Sequence, residues 1–237
     1  MVSFRGWVRT SLIDFPGHIA TVLFTGGCNF RCPMCHNREL VLYPDEQPEL
    51  DDGTLWRFLH KRVGKVTGIV ISGGEPTLQP DLAMFIERVR NLGYAVKLDT
   101  NGYRPDVLHK LLAAGLLDFV AMDIKAPPPK YAHLAGLDGL DIGRIEESLT
   151  LLTDSDVTVE YRTTVVPGLL VADDIEVLAG WLSARCGDTI SYVLQQFRGL
   201  HTLDPDLADA EPLSVSVLHE MAARADQYLA SVELRGV

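Results

Sequence analysis

The stretch "IATVLFTGGCNFRCPMCHN", Ile19 to Asn37, decides how the rest of the chain is read. Its first half is an apolar, β-branched run of the kind that forms a buried strand. The run passes directly into Gly26-Gly27 and then into Cys28, Cys32 and Cys35, three of the four cysteines in the chain. Four thiolates would close a structural zinc site or an ordinary iron–sulfur cluster, so three leave one position for something other than protein.

The same strand pattern recurs outward from this segment at "GIVIS", "AVKLDT", "FVAMDI", "VTVEYRTTV" and "ISYVLQQF". Between these runs lie helical periodicities, such as Leu82, Phe85, Ile86 and Val89 closed by Gly93, and Val107, Leu108, Leu111 and Leu112 closed by Gly115. Strand and helix in alternation, with right-handed crossovers, make a parallel sheet covered by helices. Six strands are too few for an eight-stranded barrel. The expected fold is therefore α/β, an open partial (βα)6 barrel of the TIM type, with a flat doubly wound sheet as the alternative. One domain is expected over 1–237: a core at about 18–200, an N-terminal strand and Pro16-Gly17 turn over 3–17, and a C-terminal amphipathic helix at about 213–230. "APPPKYAHLAGLDGLD" reads as partly irregular because it is rich in Pro and Gly.

The unusual residues fall where these strands end, which is where such folds keep their chemistry. After the second run come Gly73-Gly74-Glu75, after the third Asp99-Thr100-Asn101, after the fourth Asp123 and Lys125, after the fifth Arg162-Thr163-Thr164, and after the sixth Gln195-Gln196. Asp123 and Lys125, two apart on a strand, share a side. An acid and a base at the mouth of a cavity suit a zwitterion better than each other. Cys186 lies on the apolar stripe of Ile175 and is expected to pack as a small hydrophobe, outside any ligand set. "CPMCH" also matches a haem attachment pattern, and Cys28, Cys32, Cys35 and His36 could form a zinc knuckle. Neither reading explains the other strand ends.

Composition narrows the classes. The 237 residues are 47% hydrophobic, enough for a sizeable core, and 32 acidic against 21 basic residues give a formal charge of −11. No Lys/Arg cluster offers a footprint for nucleic acid or an anionic membrane, and no apolar run reaches the roughly 18–20 residues that span a bilayer. "MVSFRGWVRT" lacks a signal-peptide core, so the expected compartment is the cytoplasm, where clustered cysteines point to metal or catalysis.

Cys-x3-Cys-x2-Cys after a first strand with Gly-Gly-Glu after the second resembles the radical S-adenosylmethionine superfamily. "SLIDFPG", "CPMCHN", "SGGEPTLQ", "KLDTNG", "DIKAP", "RTTVVPG" and "LQQF" together resemble its glycyl-radical-enzyme activating enzymes, closest to the anaerobic ribonucleoside-triphosphate reductase activating proteins. The likeness covers roughly residues 5–200. Met34 stands where many relatives carry an aromatic residue, and no cysteine-rich insert separates Cys35 from Gly73, as in the compact activases.

The resemblance implies that Cys28, Cys32 and Cys35 hold three irons of a 4Fe–4S cluster whose fourth iron is chelated by S-adenosylmethionine. It implies cofactor contacts from His36, Asn37, Gly73, Gly74, Glu75, Asp99, Asn101, Asp123 and Lys125. Within that set, Asp99 lies near the methionine ammonium and Lys125 pairs with its carboxylate, while His36 and Asn37 line the adenosine side. It also suggests a monovalent cation near Asp99 and Asp123. The implied reaction cleaves S-adenosylmethionine reductively and removes a glycine Cα hydrogen from a partner glycyl radical enzyme, with a flavodoxin- or ferredoxin-like protein as electron donor. The alternatives are a small-molecule enzyme similar to 7-carboxy-7-deazaguanine synthase and a non-catalytic zinc-binding module.

Overall fold

The computed structural model describes residues 2–237. Six parallel strands lie where the apolar runs place them: β2 (Ala20–Thr25), β3 (Gly68–Gly73), β4 (Ala95–Thr100), β5 (Phe119–Asp123), β6 (Thr158–Val165) and β7 (Ser191–Gln196). Two edge strands extend this set. β1 (Phe4–Ser11) runs antiparallel to β2, and β8 (Val232–Arg235) runs parallel to β7. The order β1 to β8 follows the chain without interruption, and among the described residues its two ends do not pair. The sheet is an open partial barrel. β8 carries no strand signature in the sequence, because "VELR" is four residues long and half-exposed, with no apolar run to mark it.

Parallel neighbours need a crossover, and helices supply it: α1 (Arg38–Leu42) and α2 (Asp52–Arg62), α3 (Leu82–Asn91), α4 (Pro105–Ala113), α5 (Pro128–Ala135) and α6 (Ile142–Thr153), α7 (Ala172–Cys186), and α8 (Val215–Ala225). α5 lies within the segment expected to be partly irregular, whose residues 136–141 are turn and loop. Its prolines occupy the N-cap and first turn, where a missing N–H leaves no bond unmade, and Gly136 ends it in the left-handed conformation at φ 58°.

Strand alternation sorts side chains into two cores. Leu23, Ile71, Leu98, Met122, Tyr161 and Leu194 face outward and pack under the helices, and Cys186 joins that layer at the end of α7. Ala20, Val22, Val70, Phe119 and Ala121 face the barrel interior together with Phe15. Phe15, from the "DFPG" turn, plugs the end of the barrel where the strands begin. Its ring lies 6.0 Å from that of Phe119, and a Cβ on Gly68 would stand 2.6 Å from it. Burying one such phenylalanine stabilises the fold by about 1.5–3 kcal/mol. Towards the opposite end, where the strands finish, the lining turns polar.

Candidate active site

Cys28, Cys32 and Cys35 sit on the loop between β2 and α1 and line one cavity of about 200 Å³. His36, Asn37, Gly73, Gly74, Glu75, Asp99, Asn101, Asp123 and Lys125 line the same cavity, whereas Thr163, Gln195 and Gln196, also singled out at strand ends, do not. The cavity also takes Phe30, Met34, Arg162 and Thr164, to which the sequence reading gave no ligand role.

The cysteine loop is held from three directions. Gly27 N donates to Leu40 O at 2.8 Å. Arg31 N donates to Ala135 O at 2.8 Å, at the end of α5, and Gly136 passes so close that a Cβ there would meet Arg31 O at 2.1 Å. Asn101 Nδ2 donates to Asn29 Oδ1 at 2.8 Å and lies 3.8 Å from Cys28 Sγ. Burial pushes the Cys28 thiol up to about 12, with the Glu75 carboxylate acting in the same direction. Burial likewise pushes Cys32 up to about 11 against the pull of Lys125. It raises Cys35 too, against hydrogen bonding at Asn37 and the charges of Lys125 and Arg31. Thiols so placed keep their protons until a metal displaces them.

Among the described residues no three His, Cys, Asp or Glu side chains converge as ligands of one ion must. Thiolates on three irons of a cluster need no such convergence. His36, the fourth member of the knuckle alternative, commits Nε2 to Arg198 O at 2.5 Å and stacks on Phe197 with ring centroids 6.0 Å apart.

The Gly-Gly-Glu loop is packed tightly against the loop that carries Cys28. Gly73 has φ 115°, and a Cβ on it would stand 2.4 Å from Thr25 N; one on Gly74 would stand 1.9 Å from Gly27 O. These glycines let two backbone loops interlock, with Gly74 N donating to Thr25 O and Glu75 N to Gly27 O at 2.9 and 2.8 Å. Gly73 O accepts from Asn37 Nδ2 at 2.7 Å. Glu75, 1% exposed, accepts from Thr77 N, Thr77 Oγ1, Thr100 Oγ1 and Asn101 N. Burial raises its pKa while those donors oppose the rise. It is a tie between the ends of β3 and β4.

Asp123 and Lys125 were expected to meet a zwitterion rather than each other; here Lys125 Nζ lies 3.1 Å from Asp123 Oδ2. Arg162 stands between the carboxylates, with Nη2 2.8 Å from Asp123 Oδ1 and Nη1 3.6 Å from Asp99 Oδ1. Lys97, almost fully buried, pairs with Asp99 at 2.7 Å. Burial pushes Asp123 up, but Arg162 and Lys125 outweigh it and hold the carboxyl at about 2. Burial disfavours the charges on Lys125 and Arg162, and Asp123 reverses that for both. The paired set carries three cations against two carboxylates. The Arg162 guanidinium reaches both of the carboxylates beside which the resemblance suggests a monovalent cation. Its signal in the sequence is the alternation of Glu160, Arg162 and Thr164, which share one side of the strand.

The Radical SAM superfamily model matches residues 22–181. The chain is 34% identical to a Methanocaldococcus jannaschii protein assigned as a glycyl-radical enzyme activating enzyme, over 98% of this chain and 95% of that one. It is 32% identical to the pyruvate formate-lyase 1-activating enzyme of Escherichia coli, over 68% of this chain and 67% of the relative. A Thermococcus kodakarensis protein assigned as a GTP 3',8-cyclase is 30% identical over 62% of this chain and 48% of its own length. Among solved structures, Streptococcus suis SuiB bound to precursor peptide SuiA is similar in fold, with TM-score 0.67 at 14% identity, over 91% of this chain and 48% of that one.

Proposed function

The chain belongs to the radical SAM superfamily and to its glycyl-radical-enzyme activating enzymes, and we propose that the enzyme it activates is an anaerobic ribonucleoside-triphosphate reductase. One observation carries the site's reading: three thiols on one loop share a cavity with the Asp99 and Asp123 carboxylates and the Lys125 and Arg162 cations that pair with them. That donor set fits a 4Fe–4S cluster with an open corner beside a zwitterionic ligand.

In this reading Cys28, Cys32 and Cys35 hold the cluster. Asp99 takes the methionine ammonium of S-adenosylmethionine, and Lys125 with Arg162 takes its carboxylate. His36 and Asn37 line the adenosine side. Gly73, Gly74, Glu75 and Asn101 keep the cysteine loop and its neighbours in register. When bound, the cluster and S-adenosylmethionine supply the electron and the 5′-deoxyadenosyl fragment that takes a hydrogen atom from a glycine Cα.

A polypeptide substrate is supported by the unpaired ends of the sheet, which leave the barrel's side open, and by the activating enzymes among the relatives. The electron donor in this reading is a flavodoxin- or ferredoxin-like protein, and the compartment is the cytoplasm, where free thiols stay reduced. No helix among the described residues is long and apolar enough to cross a membrane.

The test mixes the reduced, reconstituted protein with S-adenosylmethionine and the anaerobic reductase of the same genome, its glycines deuterated at Cα. A persistent doublet in the electron paramagnetic resonance spectrum and deuterium in 5′-deoxyadenosine are expected. No radical on that reductase, but one on another glycyl radical enzyme of the genome, would overturn the choice of partner. Accumulation of 5′-deoxyadenosine with a small molecule alone would overturn the protein substrate.

A further inference from the structure

We propose that Arg31 is a positioning residue for electron uptake, its fixed positive charge raising the reduction potential of the cluster held by Cys28, Cys32 and Cys35. The inference rests on the reading of that site given above.

The guanidinium is folded back over the cysteine loop rather than extended into solvent. Arg31 Nη1 donates to Cys28 O at 2.6 Å and to Phe30 O at 2.8 Å. Its backbone is pinned at the same time, since Arg31 N donates to Ala135 O and the Gly136 backbone leaves no room for displacement. Among the described residues no carboxylate forms an ion pair with Arg31. Its charge is therefore neutralised by no neighbour, unlike those of Lys97, Lys125 and Arg162, which are tied to Asp99 and Asp123.

Taking up one electron adds one negative charge to an iron–sulfur cluster, so an uncompensated cation nearby favours the reduced form. Hydrogen bonds to the ligand sulfur act in the same sense. Cys28 has both: Phe30 N lies 3.4 Å from its Sγ and Asn101 Nδ2 lies 3.8 Å away, while the carbonyl of the same residue holds Arg31. Each of Cys28 Sγ and Cys32 Sγ also has an acceptor at 3.8 Å, Asn29 Oδ1 and Ala135 O. The step is a one-electron transfer from a one-electron reductant, with no bond broken and no proton moved.

The experiment is a potentiometric titration of the anaerobically reconstituted full-length protein, with dithionite as reductant and the resonance signal of the reduced cluster as readout. Wild type, Arg31→Gln and Arg31→Lys are compared without S-adenosylmethionine or partner. Arg31→Gln is expected to leave about a tenfold smaller reduced-to-oxidised ratio at a given potential, a midpoint about 59 mV lower for one electron. Arg31→Lys should lie nearer the wild type, and 0.5 M salt should narrow the gap, because an exposed charge is screened.

Equal midpoints in all three proteins would overturn the proposal. So would a fall in Arg31→Lys as large as in Arg31→Gln, or failure of both variants to load iron, since Arg31 would then serve only to shape the loop. Failure of the wild type itself to load iron is a different result. It would remove the cluster reading of the site, and this inference with it.

Discussion

Asp123 and Arg162 occupy paired positions on the adjacent strands β5 and β6, and their side chains meet at 2.8 Å where the strands open into the cavity. Register alone brings them together. The same guanidinium reaches Asp99 on β4, so three strand ends are joined by one residue.

Arg162→Met should destabilise the fold by about 3 kcal/mol, because it leaves the Asp99 and Asp123 carboxylates short of a partner in a largely buried setting. Chemical denaturation of the apoprotein measures this. In the wild type, exchanging potassium for choline at constant ionic strength should leave S-adenosylmethionine affinity unchanged, since the guanidinium already spans the two carboxylates. A strong potassium requirement in calorimetric titration would contradict that assignment.

Asp123, held at about 2 by Arg162 and Lys125 against the effect of burial, sets an acid limit. A carboxyl depressed below its unfolded value of about 3.9 contributes stability above that value and loses it as pH falls towards 2. Thermal melting of the apoprotein between pH 5 and pH 2 should therefore show a decline that is shallower in Asp123→Asn. Parallel curves for the two proteins would show that the pair does not govern acid stability.

Gly74→Ala places a Cβ 1.9 Å from Gly27 O, backbone against backbone, and neither loop can yield cheaply. A loss of about 1–3 kcal/mol is expected, together with defective iron loading, because Gly27 leads directly into Cys28. Gly139→Ala is the strained-backbone comparison. Its φ is 69°, but nothing lies within 4 Å of the added carbon, so it should lose stability without losing iron. Iron content after anaerobic reconstitution separates the two.

Alanine at Cys28, Cys32 or Cys35 should abolish the cluster absorbance and the roughly four irons per chain that a cubane requires. Cys186→Ala, in the packed layer at the end of α7, should retain both and lose about 1 kcal/mol of stability. Cluster loss in the Cys186 variant would redraw the ligand set.

Local chemistry made much of this protein legible before any coordinates. Six β-branched runs marked β2–β7, Gly93 and Gly115 marked the ends of α3 and α4, and the spacing of Cys28, Cys32 and Cys35 together with Gly73-Gly74-Glu75 marked the site. Each of these signals lies within a few residues of chain, where backbone preference and side-chain period act.

What the tertiary structure decided is where residues distant in sequence touch. That Glu75 turns inward to hold Thr100 and Asn101, that Gly74 is shaped by Gly27, that the end of α5 pins Arg31, and that Arg162 spans Asp99 and Asp123 all depend on strand register and loop packing. β8 belongs with them. Its four residues have little strand character of their own, and they are ordered by the β7 ladder and by the half-buried fork between Arg235 and Glu160. Such contacts arise only when the chain has folded, because their energy lies in pairs that no short window of sequence contains.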